Sequence, residues 1–294
     1  MRRFLIILFF TGMPLLAHAW NAAGHRLAAG IAWQQLSPAS RQQVTEALTR
    51  HPEHAYWLEK SGTGEALLIF AEASTWADSI RHDPRYYDEN TEPPTPPIPG
   101  LFDNARHKRW HYVDFDNAGR RQAGEIDMQI EQLSQLLRSS KDREQIAWII
   151  PWLLHLVADI HQPLHVGKDG DGGGNKFEIE TPGKHQPFSN LHQYWDELPG
   201  PSSLRGKRLL RAVDDLLAQY KAPAQGTVRQ WRDESHHLLA VAYPPENGSL
   251  LPIVDEEFRQ QSQAIADRRI VEAGYRLGRL LENIFTGRVS RETP

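Results

Sequence analysis

Three histidines and an aspartate stand within the eleven residues "HLVADIHQPLH", His155 to His165, directly after the apolar run "AWIIPWLL". Buried polar groups are costly unless something satisfies them. On a helix, His155 and Asp159 are one turn apart on the same face. The stretch "NLHQYWDEL" repeats that spacing with His192 and Asp196. A single His-x-x-x-Asp is explained equally by a hydrogen-bonded core pair, but two copies, one inside an apolar helix, point to metal. Imidazole with carboxylate suits zinc and its neighbours, whereas calcium and magnesium call for oxygen ligands alone. Pro163 ends the helix and can turn His165 back toward the same place. Upstream, "TWADSIR" offers Asp78 with Arg81 one turn on, "RWHYVDF" offers His111, Tyr112 and Asp114, and "WNAAGHR" offers His25 and Trp20.

The elements that must position these groups are mostly helical by periodicity. "GHRLAAGIAWQQL", "SPASRQQVTEALTR" with Ser40 as its expected N-cap, "GEALLIFAEASTWADSI" and the amphipathic "EIDMQIEQLSQLLRSS" all carry apolar residues at helical spacing. "DREQIAWIIPWLLHLVADIH" starts on an acidic cap and contains Pro151, which should kink it. "LRGKRLLRAVDDLLAQY", "TVRQWRDESHHLLAVAY" and a long final helix beginning at "EEFRQQ" complete the set. "DGDGGGNKFEIE" reads as a glycine turn entering a short strand, hence a small hairpin. "EPPTPPIPG", residues 92–100, is a surface connector or a lid. No internal repeat or long linker divides the chain, so a single mainly α domain over residues 20–294 is expected.

The first residues read as a secretory signal: Arg2 and Arg3, an apolar run from Phe4 to Leu16, then the small-x-small "AHA". That run is shorter than the ~20 residues a membrane span needs. Cleavage after Ala19 is expected, giving an exported protein, periplasmic or extracellular, without stable membrane association. There is no cysteine, so stability must come from the core or from metal. The formal charge of −4 becomes −6 once Arg2 and Arg3 are removed, which lacks the basic footprint of an ordinary nucleic-acid binder.

Six ordered segments, "W…GH", "WAD", "HYVD", "LVADIHQPLHVG", "GGN" and "NLHQYWD", resemble the zinc-dependent single-strand nucleases of the S1/P1 type. They run from Trp20 to Asp196, and the absence of cysteine makes the chain similar to bacterial members. The resemblance implies three Zn²⁺ in a mainly helical fold of the S1/P1 nuclease and zinc phospholipase C type. One zinc would be held by Asp78, His111, His155 and Asp159. A second would be held by the α-amine and carbonyl of Trp20, by His25 and by a bridging Asp159, and a third by His165, His192 and Asp196. It implies catalytic roles for Asp78, which would orient the attacking water, and Arg81, which would offset charge on the phosphate. Tyr112 would stack a base, with Asp114, Asn175 and the backbone at Gly173 on its edge.

Three divalent ions against three ligating aspartates leave the pocket at about +3, enough to draw phosphate into an acidic protein. The implied reaction is hydrolysis of single-stranded DNA and RNA to 5′-phosphate products, with 3′-nucleotidase activity. Zinc phospholipase C is the nearest alternative, but it carries glutamate where Asp196 stands and lacks the "HYVD" and "GGN" pattern. A non-catalytic periplasmic zinc-binding protein is a second alternative, for which Arg81 and the base-site residues would have no reason. No protein partner is implied. His161 is expected to be structural or to support a ligand from behind; His82, His107, His185, His236 and His237 are expected to be structural or solvated, and His51 and His54 carry no signal.

Overall fold

The computed structural model describes residues 20–168, 170–183, 190–245 and 248–292. The expected signal segment, His185 and Asn247 lie outside them. Twelve α-helices stand among the described residues. The first five are α1 (Ala22–Gln34), α2 (Pro38–Leu48), α3 (His54–Ser61), α4 (Ala66–Ala73) and α5 (Trp76–Ser79). Then come α6 (Ile126–Ser139), α7 (Arg143–Asp159), α8 (Leu191–Glu197), α9 (Gly206–Gln219), α10 (Val228–His237), α11 (Leu239–Ala242) and α12 (Glu256–Glu292). None of them is long and apolar enough to cross a membrane.

α1 and α7 form the centre. Asn21 caps α1, its Oδ1 accepting from the amides of Ala23 (2.9 Å) and Gly24 (3.4 Å). Every residue of α1 from Ala23 to Trp33 is buried, so the helix is enclosed on all sides. α12 can lie against it because of Gly274 and Gly278. A Cβ on Gly274 would sit 2.5 Å from Ile31 Cβ, and one on Gly278 2.7 Å from the Ala32 carbonyl. α7 is buried from Ile146 to Asp159. Each of its fully buried Ile, Leu and Val side chains contributes roughly 1.5–3 kcal/mol of transfer free energy. Asp142 caps it as expected, accepting from the amides of Glu144 and Gln145, and the helix runs unbroken through Pro151.

Three local readings change. The cap of α2 is Ser37, not Ser40: Pro38 occupies the first helical position, where its fixed φ suits it, and Ser37 Oγ accepts the Ser40 amide. The expected single helix over residues 64–80 is two, α4 and α5, parted at Ser74 and Thr75. The hairpin does not form at the glycine turn. It is β1 (Val113–Phe115) against β2 (Arg121–Gly124), antiparallel, with β3 (Val166–Lys168) added parallel to β1. The sheet therefore ties the segment following His111 to the one following His165, with Asp114 opposite Gly167. The glycine turn leads instead to one isolated bridge, Glu180 to Ile253.

His51, which carries no signal in the sequence, is buried between Trp57, on which it stacks at 4.6 Å, and Trp76. Its Nδ1 accepts the Glu53 amide at 3.1 Å, which requires the neutral ring. Burial pulls its pKa down to about 3. Because the folded pKa lies below the unfolded value of ~6.5, this group's stability is full above pH 6.5 and drains away as pH falls toward 3. Between pH 7 and 5 the loss is about 2 kcal/mol. Asn at this position can still accept the same amide in an Asx-turn. Chemical denaturation of His51→Asn should show a pH 7-to-5 stability loss smaller than the parent's by about that amount. An identical loss would mean that the fold leaves the His51 pKa at its unfolded value.

Candidate metal and substrate site

Distant segments bring the expected ligands together. His25 comes from α1, Asp78 from α5, His155 and Asp159 from α7, and His192 and Asp196 from α8. His111 ends the 3-10 turn Lys108–His111, and His165 ends the 3-10 turn Pro163–His165. All are buried except Asp78, which keeps partial access to solvent.

At the centre, His155 Nε2, His111 Nδ1 and Asp159 Oδ2 form a triangle with 3.1 Å on every side. Ligands of a tetrahedral zinc at 2.0–2.1 Å stand about 3.3 Å apart. The other oxygen of Asp159, Oδ1, lies 3.3 Å from His25 Nε2, so this carboxylate reaches two places at once. Asp78 does likewise, with Oδ1 3.6 Å from His155 Nε2 and Oδ2 3.9 Å from His25 Nε2. Beside them His165, His192 and Asp196 form a further cluster, with His192 Nε2 3.6 Å from Asp196 Oδ1. Three such clusters that can hold a metal ion stand among the described residues: His25–Asp78–His155, His111–His155–Asp159 and His165–His192–Asp196.

The chemistry of the donor atoms fits a cation. His25 Nε2, Asp159 Oδ1 and His165 Nε2 are buried and make no hydrogen bond within the protein. Groups so placed cost free energy unless a ligand satisfies them. The outer ring nitrogens are held by carbonyls: His155 Nδ1–H donates to Ser74 (2.9 Å), His165 Nδ1–H to His111 (2.6 Å) and His192 Nδ1–H to Gly173 (2.6 Å). That leaves each Nε2 as a lone-pair donor aimed inward. Burial lowers the pKa of His25, His111 and His165 well below the ordinary value, so they are neutral at pH 7, the form that binds metal. Burial raises Asp159 and Asp196, a penalty on their charge that a bound cation would reverse. For His155 burial is the largest influence and lowers its pKa, but Asp159 and Asp78 together outweigh it and raise the value. The ring of His25 stacks on that of His155 at 3.9 Å, locking both.

Trp20 is fully buried, and the next residue's amide, that of Asn21, donates to the Asp196 carbonyl at 3.0 Å. The start of α1 is thus fastened to a segment that carries a candidate ligand.

A cavity of about 360 Å³ opens onto the clusters, and His111, His165 and His192 form part of its wall. Arg81, Tyr112, Asp114, Gly173 and Asn175 also line it, with Lys108, Leu164 and Gly172. Arg81 Nε stands 3.0 Å from Asp78 Oδ1. Gly173 has φ +63° and passes so close to Leu164 that a Cβ would lie 2.4 Å from its carbonyl, so only glycine fits.

The family model for S1/P1 nuclease matches residues 20–286. The chain belongs to the S1/P1 nuclease family. It is 28% identical to endonuclease 2 of Arabidopsis thaliana over 285 residues, 91% of each chain. It is 22% identical to nuclease P1 of Penicillium citrinum over 304 residues, covering 92% of this chain and all of that one. The match to endonuclease 3 of Arabidopsis thaliana, 27% identical over 178 residues, covers 53% of this chain and 59% of that protein. The S1/P1 nuclease match starts at Trp20, the residue expected to follow signal cleavage.

Sequence reasoning missed several parts of this S1/P1 nuclease site. Gln162, fully buried, donates from Nε2 to Asp196 Oδ1 (2.9 Å) and accepts the Leu164 amide (2.6 Å), so it ties a candidate ligand to the turn bearing His165. Lys108 and Leu164 line the cavity. Only the spacing of Lys108, three residues before His111, could have signalled it. His161 is structural, as expected: its Nδ1–H donates to the Val157 carbonyl (2.7 Å) and its Nε2 accepts from Arg276 Nη1 (2.9 Å). His107 stacks on Trp110 at 3.6 Å and meets Asp103 and Glu89.

Proposed function

We propose that residues 20–294 act as one exported nuclease domain that hydrolyses single-stranded DNA and RNA to 5′-phosphate products, with 3′-nucleotidase activity, using three Zn²⁺. The observation that carries this reading is the shared cavity. One wall is made of metal-type ligands, and the other of a cation, an aromatic ring and polar groups able to meet a base.

Asp78, His111, His155 and Asp159 would hold one ion; the Trp20 amine and carbonyl, His25 and Asp159 a second; His165, His192 and Asp196 a third. Bound there, zinc supplies Lewis acidity and lowers the pKa of water from ~15.7 toward 7. Asp78, partly open to solvent, orients the attacking water by accepting its hydrogen. Arg81, held beside Asp78 at 3.0 Å, offsets charge gathering on the phosphate oxygens. Tyr112 stacks the base, and Asp114 and Asn175, with the Gly173 backbone, hydrogen-bond its edge. Stacking on a side chain requires an unpaired base, which gives the single-strand preference.

The test compares nucleotide substrates with a bis-nitrophenyl phosphodiester, which has no base. Tyr112→Ala and Asn175→Ala should lower kcat/KM on single-stranded DNA by about tenfold, the worth of one stacked base, and lower turnover of the simple ester far less. Arg81→Ala should depress both substrates, by about a hundredfold. If Tyr112→Ala left both substrates equally unchanged, the base-site assignment would be wrong. Hydrolysis of phosphatidylcholine in place of DNA would return the function to a phospholipase.

A further inference from the structure

Lys108 is a second cation in the cavity, and nothing in the reading above employs it. Its Nζ donates to Asp88 Oδ2 at 2.8 Å. Asp88 is buried, whereas the lysine side chain is 37% exposed. An ammonium carries three donors, so the bond to Asp88 leaves capacity for an anion's oxygens. Asp88 is itself firmly placed. Its amide donates to Glu92 Oε2 (2.9 Å), its Oδ1 accepts the Asn90 amide (3.0 Å), and Glu92 pairs with Arg106 at 2.8 Å. Glu92 opens the proline-rich run 92–100, so the foot of that loop fixes the carboxylate that aims Lys108.

The position relative to the metal-type ligands is set by local geometry. Lys108 and His111 begin and end one 3-10 turn. In such a turn side chains three apart eclipse, with about 2 Å of rise per residue. The two side chains therefore leave the turn on the same face, with their origins about 6 Å apart along its axis. Arg81, the other cation of the cavity wall, is held at Asp78. A partly exposed ion pair stabilises a fold only slightly, so anchoring a loop is a weak reason for a lysine to face this cavity.

We propose that Lys108 binds the phosphate adjoining the scissile one, so that the site recognises a strand and not only a single ester. This rests on the nuclease reading above. The chemical class of ligand is a non-bridging phosphate oxygen pair of a neighbouring nucleotide, and Asp88 is the tether that keeps the ammonium in place between substrates.

The experiment measures KM and kcat on a trinucleoside diphosphate, in which either scissile bond has a neighbouring phosphate, and on a dinucleoside monophosphate, which has none. Lys108→Ala and Lys108→Gln should raise KM for the first about tenfold, the worth of one charge-assisted hydrogen bond, with a much smaller change for the second. Lys108→Arg should restore most of the difference, and added salt should shrink it. Equal KM increases on both substrates would show that Lys108 only supports the loop and overturn the proposal. Should the parent protein hydrolyse neither substrate, the nuclease reading falls and this one with it. A parent active on both, with an unchanged KM ratio in Lys108→Ala, removes the Lys108 assignment alone.

Discussion

Chelation is expected to abolish hydrolysis and to lower Tm by at least about 10 °C, and elemental analysis of untreated protein to return three zincs per chain. The two effects share one cause. The candidate ligands come from α1, α5, α7, α8 and two 3-10 turns, and no disulfide links those elements because the chain has no cysteine. Without a cation, three donor atoms remain 3.1 Å apart in a buried centre, together with an Asp159 oxygen and a His25 nitrogen that make no hydrogen bond within the protein. Metal binding at such a place is worth folding free energy as well as catalysis, on the scale of several kcal/mol, and one kcal/mol shifts Tm by roughly 2–4 °C in a chain of this size. One metal or fewer per chain, in protein never exposed to chelator, would overturn the three-ion reading. Full loss of activity with an unmoved Tm would make the ions catalytic but not structural.

Keeping a methionine in front of Trp20 should remove one ion and cost at least about a hundredfold in activity, more than the loss of a supporting hydrogen bond costs a metal site. The proposed ligand is the α-amine of Trp20, which exists only after cleavage behind Ala19. In the precursor that nitrogen is an amide, a very poor zinc donor. A free α-amine, whose ordinary pKa is about 7.7, yields its proton to a metal at neutral pH. The surroundings support the placement: Trp20 is fully buried, Asn21 caps α1 one turn before His25, and the Asn21 amide is bonded to the Asp196 carbonyl. Signal cleavage would then be the activating step, which shields the producing cell's own RNA. The comparison is between exported protein and residues 20–294 expressed with the retained methionine, whose removal a bulky second residue blocks. Equal zinc content and equal activity would exclude the N-terminal ligand.

The parts of this site readable along the chain are those that depend on local geometry. His155 with Asp159, and His192 with Asp196, share a helix face because four residues make about one turn, whatever lies beyond the helix. The Asp142 cap, the helical content and the kinship carried by six ordered segments are local in the same sense. The cap of α2 and the break between α4 and α5 are less legible, because several polar residues offer themselves and one turn of backbone chooses among them. Pairings between distant segments could not be read. Only packing puts His25 within 3.3 Å of one Asp159 oxygen and His111 within 3.1 Å of the other. Only packing sets β1 between β2 and β3, turns Lys108 into the cavity, and closes Trp57 and Trp76 around His51. Residue types and spacings along single helices determined that this chain can bind metal and to which family it is similar. Which carboxylate oxygen faces which imidazole, and which cation faces the substrate, was decided by the tertiary structure, because those distances depend on how separate elements fill one core and not on the rise of any one of them.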